Sequence, residues 1–452
     1  MTPTTLRRAG PATTSEVTTR RFGLATALLL VVASMVGTGV YTTSGFLLRD
    51  LGSPALVLLV WLVGGGAALT GALSYAELVA ALPANGGEYQ LLRRIYHPAV
   101  GFVAGFTSLV AGFAAPTAAS AIAFGEYLAV ALGPETIAPV PAALALIVVS
   151  AFVHAHDVRA GSAIQNVVAA SKIVLLVVFV AGGLTRADTS LLFAPAAETA
   201  SPWSPAFAVG LVYVSYAYSG WNAAAYVAGE VRAPERNVPR ALVLGTVLVT
   251  TLYLGVNLML VTAAPAAVLA RSDERIGAVA AVALFGAHGG RLLAGLIAIG
   301  LVSTVGALLM TGPRITEAMG QDHPRLAALA RRRPGRGPVP AIVLQAGLGC
   351  ILALTATFDA LLAFVGLGLS VFAALSVAGV FVLRVREPTL ARPYHTWGYP
   401  ATPLVFLALT TWSIVLTLAE RPEAAMGAGA TAIAGLLAFR WATARKGGAA
   451  PS

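Results

Sequence analysis

Cysteine is almost missing from this chain of 452 residues: Cys350 is the only one. One thiol offers no disulfide framework and no cysteine-rich metal site. Lysine is nearly as scarce, with Lys172 and Lys446 alone against 27 arginines. Charge is thin overall, at 11% of residues against 58% hydrophobic, and the mean hydropathy is positive. A soluble globular domain does not have that balance. No apolar stretch carries paired aspartates or an H-E-x-x-H arrangement, so neither an intramembrane enzyme nor a metal or cofactor site is expected. His154 and His156 stand beside Asp157 at the end of one apolar run and read as an interfacial cluster. Residues 1–23 are polar, hold Arg7, Arg8, Arg20 and Arg21, and lead into no short apolar core with a cleavage site. A cleaved signal peptide is therefore not expected.

What is present is apolar run after apolar run. A hydrocarbon core takes roughly 20 apolar residues per helix, and the chain divides into twelve such stretches: 24–48, 54–82, 99–131, 139–155, 161–183, 205–229, 240–262, 288–312, 340–357, 360–384, 402–419 and 424–442. The expectation is an all-α polytopic membrane protein with 12 transmembrane helices. Both termini then lie on one side. With the N-terminus inside, 22 of the 29 basic residues fall in inner segments, and Arg49, Arg186, Arg271, Arg275, Arg291 and Arg421 fall outside. That asymmetry places the termini in the cytoplasm and the chain in the cell's inner membrane. It also accounts for the net charge of +10, which in another composition would suggest nucleic acid; none is expected here. The densest run, "RLAALARRRPGRGP" at 325–338, reads as a topology signal touching anionic lipid.

Two stretches break the pattern. "VVASMVGTGVYTTSGFLL", Val31 to Leu48, has Gly37-Thr38-Gly39 at its centre, and "LVYVSYAYSGWNAAAYVAGE", Leu211 to Glu230, has Ser219-Gly220. Gly39 and Gly220 are 181 positions apart, about five spans. An inverted repeat of five helices, each half opening with an interrupted helix, is the sequence sign of a secondary transporter with its site at the bilayer midplane. Non-helical backbone at membrane depth survives only where protein or a cavity surrounds it. The second half-helix after the first break begins with unpaired N–H groups around Thr38 to Tyr41, which favour a carboxylate. The first half of the sixth span would end near Ser215 to Ala217 with free carbonyls, which favour an ammonium. Donors on one side and acceptors on the other suit an amino acid. The plainer reading, small residues that let helices pack closely, applies to any one of the 47 glycines.

Lys172 lies thirteen residues beyond Arg159, about 20 Å along a helix, too deep to snorkel easily. An ionisable group at that depth marks an ion or substrate pathway. It either takes part in coupling or stays as a fixed charge bonded to carbonyls of the broken first helix. No acidic residue stands at the centre of the first, third, sixth, eighth or tenth span; Glu126 and Glu77 lie near span ends, where a gate or loop contact is expected. A polyamine site would want such a carboxylate, so neutral amino acids are favoured. Tyr216, Tyr218 and Trp221 sit mid-span rather than in an interfacial belt, and at least one is expected to cover the ligand.

Six blocks then carry a resemblance: "MVGTGVY" at 35–41, "SYAELVAALPANGGEYQLL" at 74–92, "AASKIVLL" at 169–176, "YAYSGWNAAAYVAGEVRAPERNVPRAL" at 216–242, "GPRITEAMGQDHP" at 312–324 and "RPYHTWGYP" at 392–400. Together, and over about Phe22 to Pro403, they resemble the amino acid-polyamine-organocation (APC) superfamily, especially its bacterial amino acid permeases and the related L-type exchangers. The resemblance implies a leucine-transporter-type fold. It has a cytoplasmic tail at 1–23, a ten-helix core at 24–384 made of repeats 24–183 and 205–384 with helices 1 and 6 discontinuous, two further helices at 385–442, and a tail at 443–452. It also implies site residues. Val36, Gly37, Thr38 and Gly39 would hold the substrate carboxylate by backbone donors; Tyr216 matches an aromatic gate, Ala217 and Ser219 flank the substrate, and Trp221 follows the break. Lys172 matches a lysine that stands where related carriers bind sodium, with Ser303 as its eighth-helix neighbour.

Two departures stand out. Thr38 replaces a frequent serine, adding a methyl to the pocket, and His323 occupies what is expected to be a solvated cytoplasmic loop. Cys350 reads as buried in the ninth span, so no disulfide-linked partner subunit is expected. The function implied is sodium-independent amino acid transport by alternating access, as proton-coupled symport or exchange, with membrane lipid around it. An amine, polyamine or cationic amino acid antiporter is the nearest alternative. A membrane sensor of the same fold would want a soluble output domain, and none is visible.

Overall fold

The computed structural model describes residues 22–84, 86–133, 135–156, 158–193, 200–332 and 337–444, and the side chains of all of these but 158–169. The tails up to residue 21 and beyond 444, Asp157, the side chain of Arg159 and the middle of the basic run at 333–336 lie outside the described residues. Every named element among those residues is a helix. The first apolar stretch holds α1 (Leu24–Met35) and α2 (Gly39–Leu51), followed by α3 (Pro54–Ala81) and the short α4 (Gly87–Ile95). Helix α5 (Pro98–Thr107) passes through a π-helical turn, Ser108–Ala114, into α6 (Ala115–Leu132), before α7 (Pro139–His156) and α8 (Val158–Leu184). Then come α9 (Pro205–Tyr218), a 3-10 segment at Ala223–Glu230, α10 (Pro234–Val261), the one-turn α11 (Ala266–Leu269), α12 (Ile276–Thr311) and α13 (Pro313–Asp322). The last four are α14 (Val339–Thr355), α15 (Phe358–Arg386), α16 (Ala401–Glu420) and α17 (Pro422–Thr443).

Nine helices among the described residues are long and apolar enough to cross a membrane, and Ala170–Leu184 and Val339–Thr355 are shorter apolar helices. Val148, Val149 and Phe152 on α7, Val174 and Val178 on α8, and Ile351 and Leu354 on α14 are each more than half exposed. Large apolar side chains cover an outer surface in this way where the surrounding medium is itself apolar. The chain is a multi-pass membrane protein.

Local chemistry starts the helices where they start. Ser53 and Ser204 precede a proline, and their side-chain oxygens accept the N–H groups of Leu56 and Phe207, capping α3 and α9. The polar residues gather at two ends of the bundle. At one end Glu77 accepts hydrogen bonds from Arg384 at 2.7 and 2.8 Å and from the N–H and hydroxyl of Thr396, both at 2.7 Å. Arg93 meets Asp322, Arg94 meets Glu387 and Arg332 meets Glu317 at that same end. At the other end Arg49 reaches Asp273 at 3.1 Å, and Arg421 reaches Asp359 at 3.3 Å.

The structure departs from the sequence reading in four places. The eighth stretch, expected from 288, belongs to a helix that begins at Ile276 and bends at Gly286, where φ is +72°. The residues before the bend are apolar enough to extend the helix, and glycine accepts the left-handed conformation there. The sixth stretch, expected to run helically to 229 apart from its break, stays α-helical only to Tyr218. Cys350 is partly exposed rather than buried, because it lies beside, not on, the buried row Ala346, Gly349 and Ala353. His323 is half-buried, not solvated: its ring stands edge-on to Phe102 at 5.0 Å and Phe439 at 6.1 Å, beneath α17 where that helix covers α5.

Candidate functional site

The first interruption lies between α1 and α2. Val36 leaves the helix with ψ of 84°, and α2 begins at Gly39, so the opening N–H groups of α2 have no carbonyl one turn earlier within their own helix. The carbonyls that end α1 are not left bare. Val36 O accepts from the Lys172 ammonium, and Met35 O accepts from the Tyr253 hydroxyl on α10. Lys172 is buried, with Thr304 Oγ1 at 3.3 Å from Nζ, and Gly300 leaves room for its stem. Burying a charge is costly unless hydrogen bonds compensate; among the described residues the compensation comes from that carbonyl and hydroxyl, not from a carboxylate. Gly39 packs onto α9 so closely that a Cβ would fall 2.5 Å from that of Ala217.

The second interruption follows α9. Ser219 turns out of the helix with ψ of 144°, its N–H bonded to Tyr216 O at 3.0 Å, and Gly220 takes φ of +96°. A Cβ on Gly220 would lie 2.8 Å from the carbonyl carbon and oxygen of Ser34, so this break leans on the end of α1 as the first leans on α9. The helix therefore ends slightly later than the expected Ser215 to Ala217. Ala217 O also meets the Tyr253 hydroxyl, at 3.1 Å. One hydroxyl has one proton, so it can serve the Met35 or the Ala217 carbonyl at a given moment, and the other stays available to a donor.

Between these breaks lies a cavity of about 140 Å³. Its wall includes Ser34, Ser219, Gly220, Trp221 and Thr304 at the breaks, and it continues past Asn222 to Glu88, Tyr226 and Thr311. On the opposite side the elements are packed together. Thr38 Oγ1 and the Tyr216 hydroxyl share a hydrogen bond of 2.6 Å, the Tyr127 hydroxyl donates to Tyr41 O at 2.9 Å, and Gly45 lies against the Asp273 backbone.

Of the residues named from sequence, Ser219 and Trp221 line the cavity. Val36, Thr38, Gly39, Tyr216 and Ala217 are buried in the contact between the two breaks, and Gly37 keeps partial exposure. Tyr218 is held between Trp61 and Tyr253, with its hydroxyl on Trp61 O at 3.1 Å, while Trp221 stands edge-on to Tyr75 at 5.3 Å. Thr304 on α12 comes within 3.3 Å of the Lys172 ammonium, and Ser303, the neighbour expected from resemblance, is buried beside it.

Sequence reasoning missed Thr304, Tyr253 and Glu88. The first two look like ordinary helix residues. Glu88 stood inside "PANGGEYQ" but outside every span, so a search for acids at span centres passed it by. It is 6% exposed and accepts hydrogen bonds from the Asn222 amide and the Tyr226 hydroxyl. Burial pushes its carboxyl above the usual glutamate range.

Residues 22–430 match the family model described as amino acid permease. The serine/threonine exchanger SteT of Bacillus subtilis (strain 168) is 27% identical, the alignment covering 86% of this chain and 89% of that one. The human large neutral amino acids transporter small subunit 2 is 27% identical over 89% of this chain and 76% of its own. The human b(0,+)-type amino acid transporter 1 is likewise 27% identical, over 90% and 84%.

Proposed function

The chain belongs to the amino acid permease family, and on that premise we propose that it is a sodium-independent secondary transporter carrying neutral amino acids across the cell's inner membrane by alternating access. One observation carries this reading: two broken helices lean on each other beside one cavity, the first capped by Lys172 and the second lining the wall with Ser219 and Gly220. Half-helix ends of opposite polarity meeting in that way suit a zwitterion. The partly exposed main chain at Gly37 would take the carboxylate, and the carbonyl end of α9, where Ser219 and Gly220 line the cavity, the ammonium.

In this reading the 5+5 inverted repeat spans 24–183 and 205–384, α16 and α17 stand outside it, and both termini are cytoplasmic. The end that carries Glu88 and Tyr226 then faces the cytoplasm, and the conformation described is closed outward. Lys172 and its α12 neighbours take the part of a coupling cation, a fixed charge where another carrier would bind sodium. A cavity of about 140 Å³ is below the roughly 300 Å³ at which drug-sized pockets begin, which favours small side chains.

Uptake by proteoliposomes tests this, with a panel of labelled neutral, acidic and cationic amino acids and a diamine, with and without sodium, a pH gradient and internal amino acid. Uptake of small neutral amino acids without sodium is expected. Uptake of the diamine alone, or a strict need for sodium, rejects the reading. Stimulation by internal amino acid identifies exchange, and stimulation by an inward proton gradient identifies symport.

A further inference from the structure

Glu88 is the second residue of α4, and its carboxyl forms part of the cavity wall. Both of its hydrogen-bond partners, Asn222 and Tyr226, belong to the segment that follows the second break. Gly87, at φ of +53°, makes room for the Tyr226 ring directly beside it. We propose that Glu88 is a proton-binding site that, when neutral, latches the segment after Gly220 onto α4 and, on losing its proton to water, lets that segment move away. Its part in a transport cycle rests on the proposed function; the proton site itself does not.

The surroundings are those of a neutral acid. Glu77, eleven positions earlier and as well buried, is held by Arg384 and Arg392; among the described residues no cation pairs with Glu88. From α3 the facing group is the Tyr75 phenol, and from α15 the Ser376 hydroxyl beside it. Helix α5 presents no titratable side chain. Arg93 and Arg94 on α4 itself are committed to Asp322 and Glu387, Arg384 on α15 to Glu77, and Glu230 at the far end of the 3-10 segment lies 3.9 Å from Arg314. A protonated carboxyl has one O–H to place. The Tyr75 oxygen, fully buried and without a hydrogen-bond partner, stands ready to accept it. Because burial holds the proton more tightly in this conformation than water contact would, lowering the pH favours the latched form and raising it favours release.

Infrared pH-difference spectra of the full chain read the carboxylic acid directly. A carboxylic C=O signal is expected that fades above the ordinary glutamate range and is absent from Glu88→Gln. In Tyr226→Phe the midpoint is expected to move up by about one pH unit, since a donor to the ionised form is lost. A signal that persists in Glu88→Gln overturns the proposal, and so does an unmoved midpoint in Tyr226→Phe, which decides the matter if the glutamine variant fails to fold. Amino acid uptake on the same preparations separates the two readings. If nothing is carried while the carboxyl still titrates, the proposed function fails and the proton site stands. If uptake keeps its pH dependence in Glu88→Gln, the latch is overturned.

Discussion

The two breaks look alike in sequence and are built differently in space. The first is locked: an ammonium caps Val36 O, a phenol meets Met35 O, and Gly39 is pressed against Ala217. The second lines the cavity with Ser219, Gly220, Trp221 and Asn222, and the Asn222 amide donates to the Glu88 carboxyl. A charge-assisted bond in a dry site is stronger than a neutral one, so the first break reads as an anchor and the second as the wall that moves. Small residues serve both, but for opposite reasons: at Gly39 the glycine admits a neighbouring helix, whereas at Gly220 it admits a backbone turn with positive φ.

That contrast can be broken by substitution, and the largest effect is expected at the closest contact. Gly39→Val drives a branched three-carbon side chain into Ala217 and should lower uptake by about 100-fold, equivalent to about 3 kcal/mol of overpacking, with membrane insertion checked by detergent-solubilised yield. If packing is the cause, Gly39→Ala lowers thermal stability along with uptake, because its Cβ would meet both the Cβ and the Cα of Ala217, at 2.5 and 2.6 Å. If uptake falls with stability unchanged, Gly39 acts through the ligand and the anchor reading is wrong.

Lys172→Ala comes next. It leaves the Val36 carbonyl buried without its donor, and uptake should fall by about 30-fold, or about 2 kcal/mol. The titration assigned to Glu88 should stay in place in this variant. A changed titration there would merge the two sites that the comparison separates.

Tyr253→Phe removes the one hydroxyl shared by both breaks and should cost about 10-fold in KM or kcat, about 1.4 kcal/mol. The smallest effect belongs to the closed side. Thr38→Val deletes the bond to Tyr216 and should weaken apparent affinity by about 5-fold, about 1 kcal/mol. Tyr216→Phe should do the same, and the double variant should add little to either. Additive losses would show that the two hydroxyls act separately and that this bond is not part of the closure.

Much of the architecture was legible because lipid imposes local rules. A span must be apolar over its own length and must satisfy its own backbone, so the all-α polytopic class and both breaks announce themselves in composition. The depth of Lys172 could be counted from Arg159, and one of the two roles read for it, a charge bonded to carbonyls of the broken first helix, matches its bond to Val36 O. The site was legible only in part. Gly37-Thr38-Gly39 was read as cradle; that Thr38 and Gly39 also pack against α9 depends on where Tyr216 and Ala217 lie and could not be read locally. Glu88 and Tyr253 gave no sign, because a polar residue becomes consequential only through what surrounds it.

What the sequence by itself determined is therefore the class of protein, the position of the two breaks and the presence of a deep lysine, since each follows from the cost of placing that residue in hydrocarbon. Which break faces the cavity, which hydroxyl caps which carbonyl, and which buried acid has no cation beside it among the described residues were decided only by the tertiary structure. Those properties belong to pairs of residues from different helices, such as Lys172 with Val36, 136 positions apart, and Glu88 with Asn222, 134 apart, and no local rule reaches across that separation.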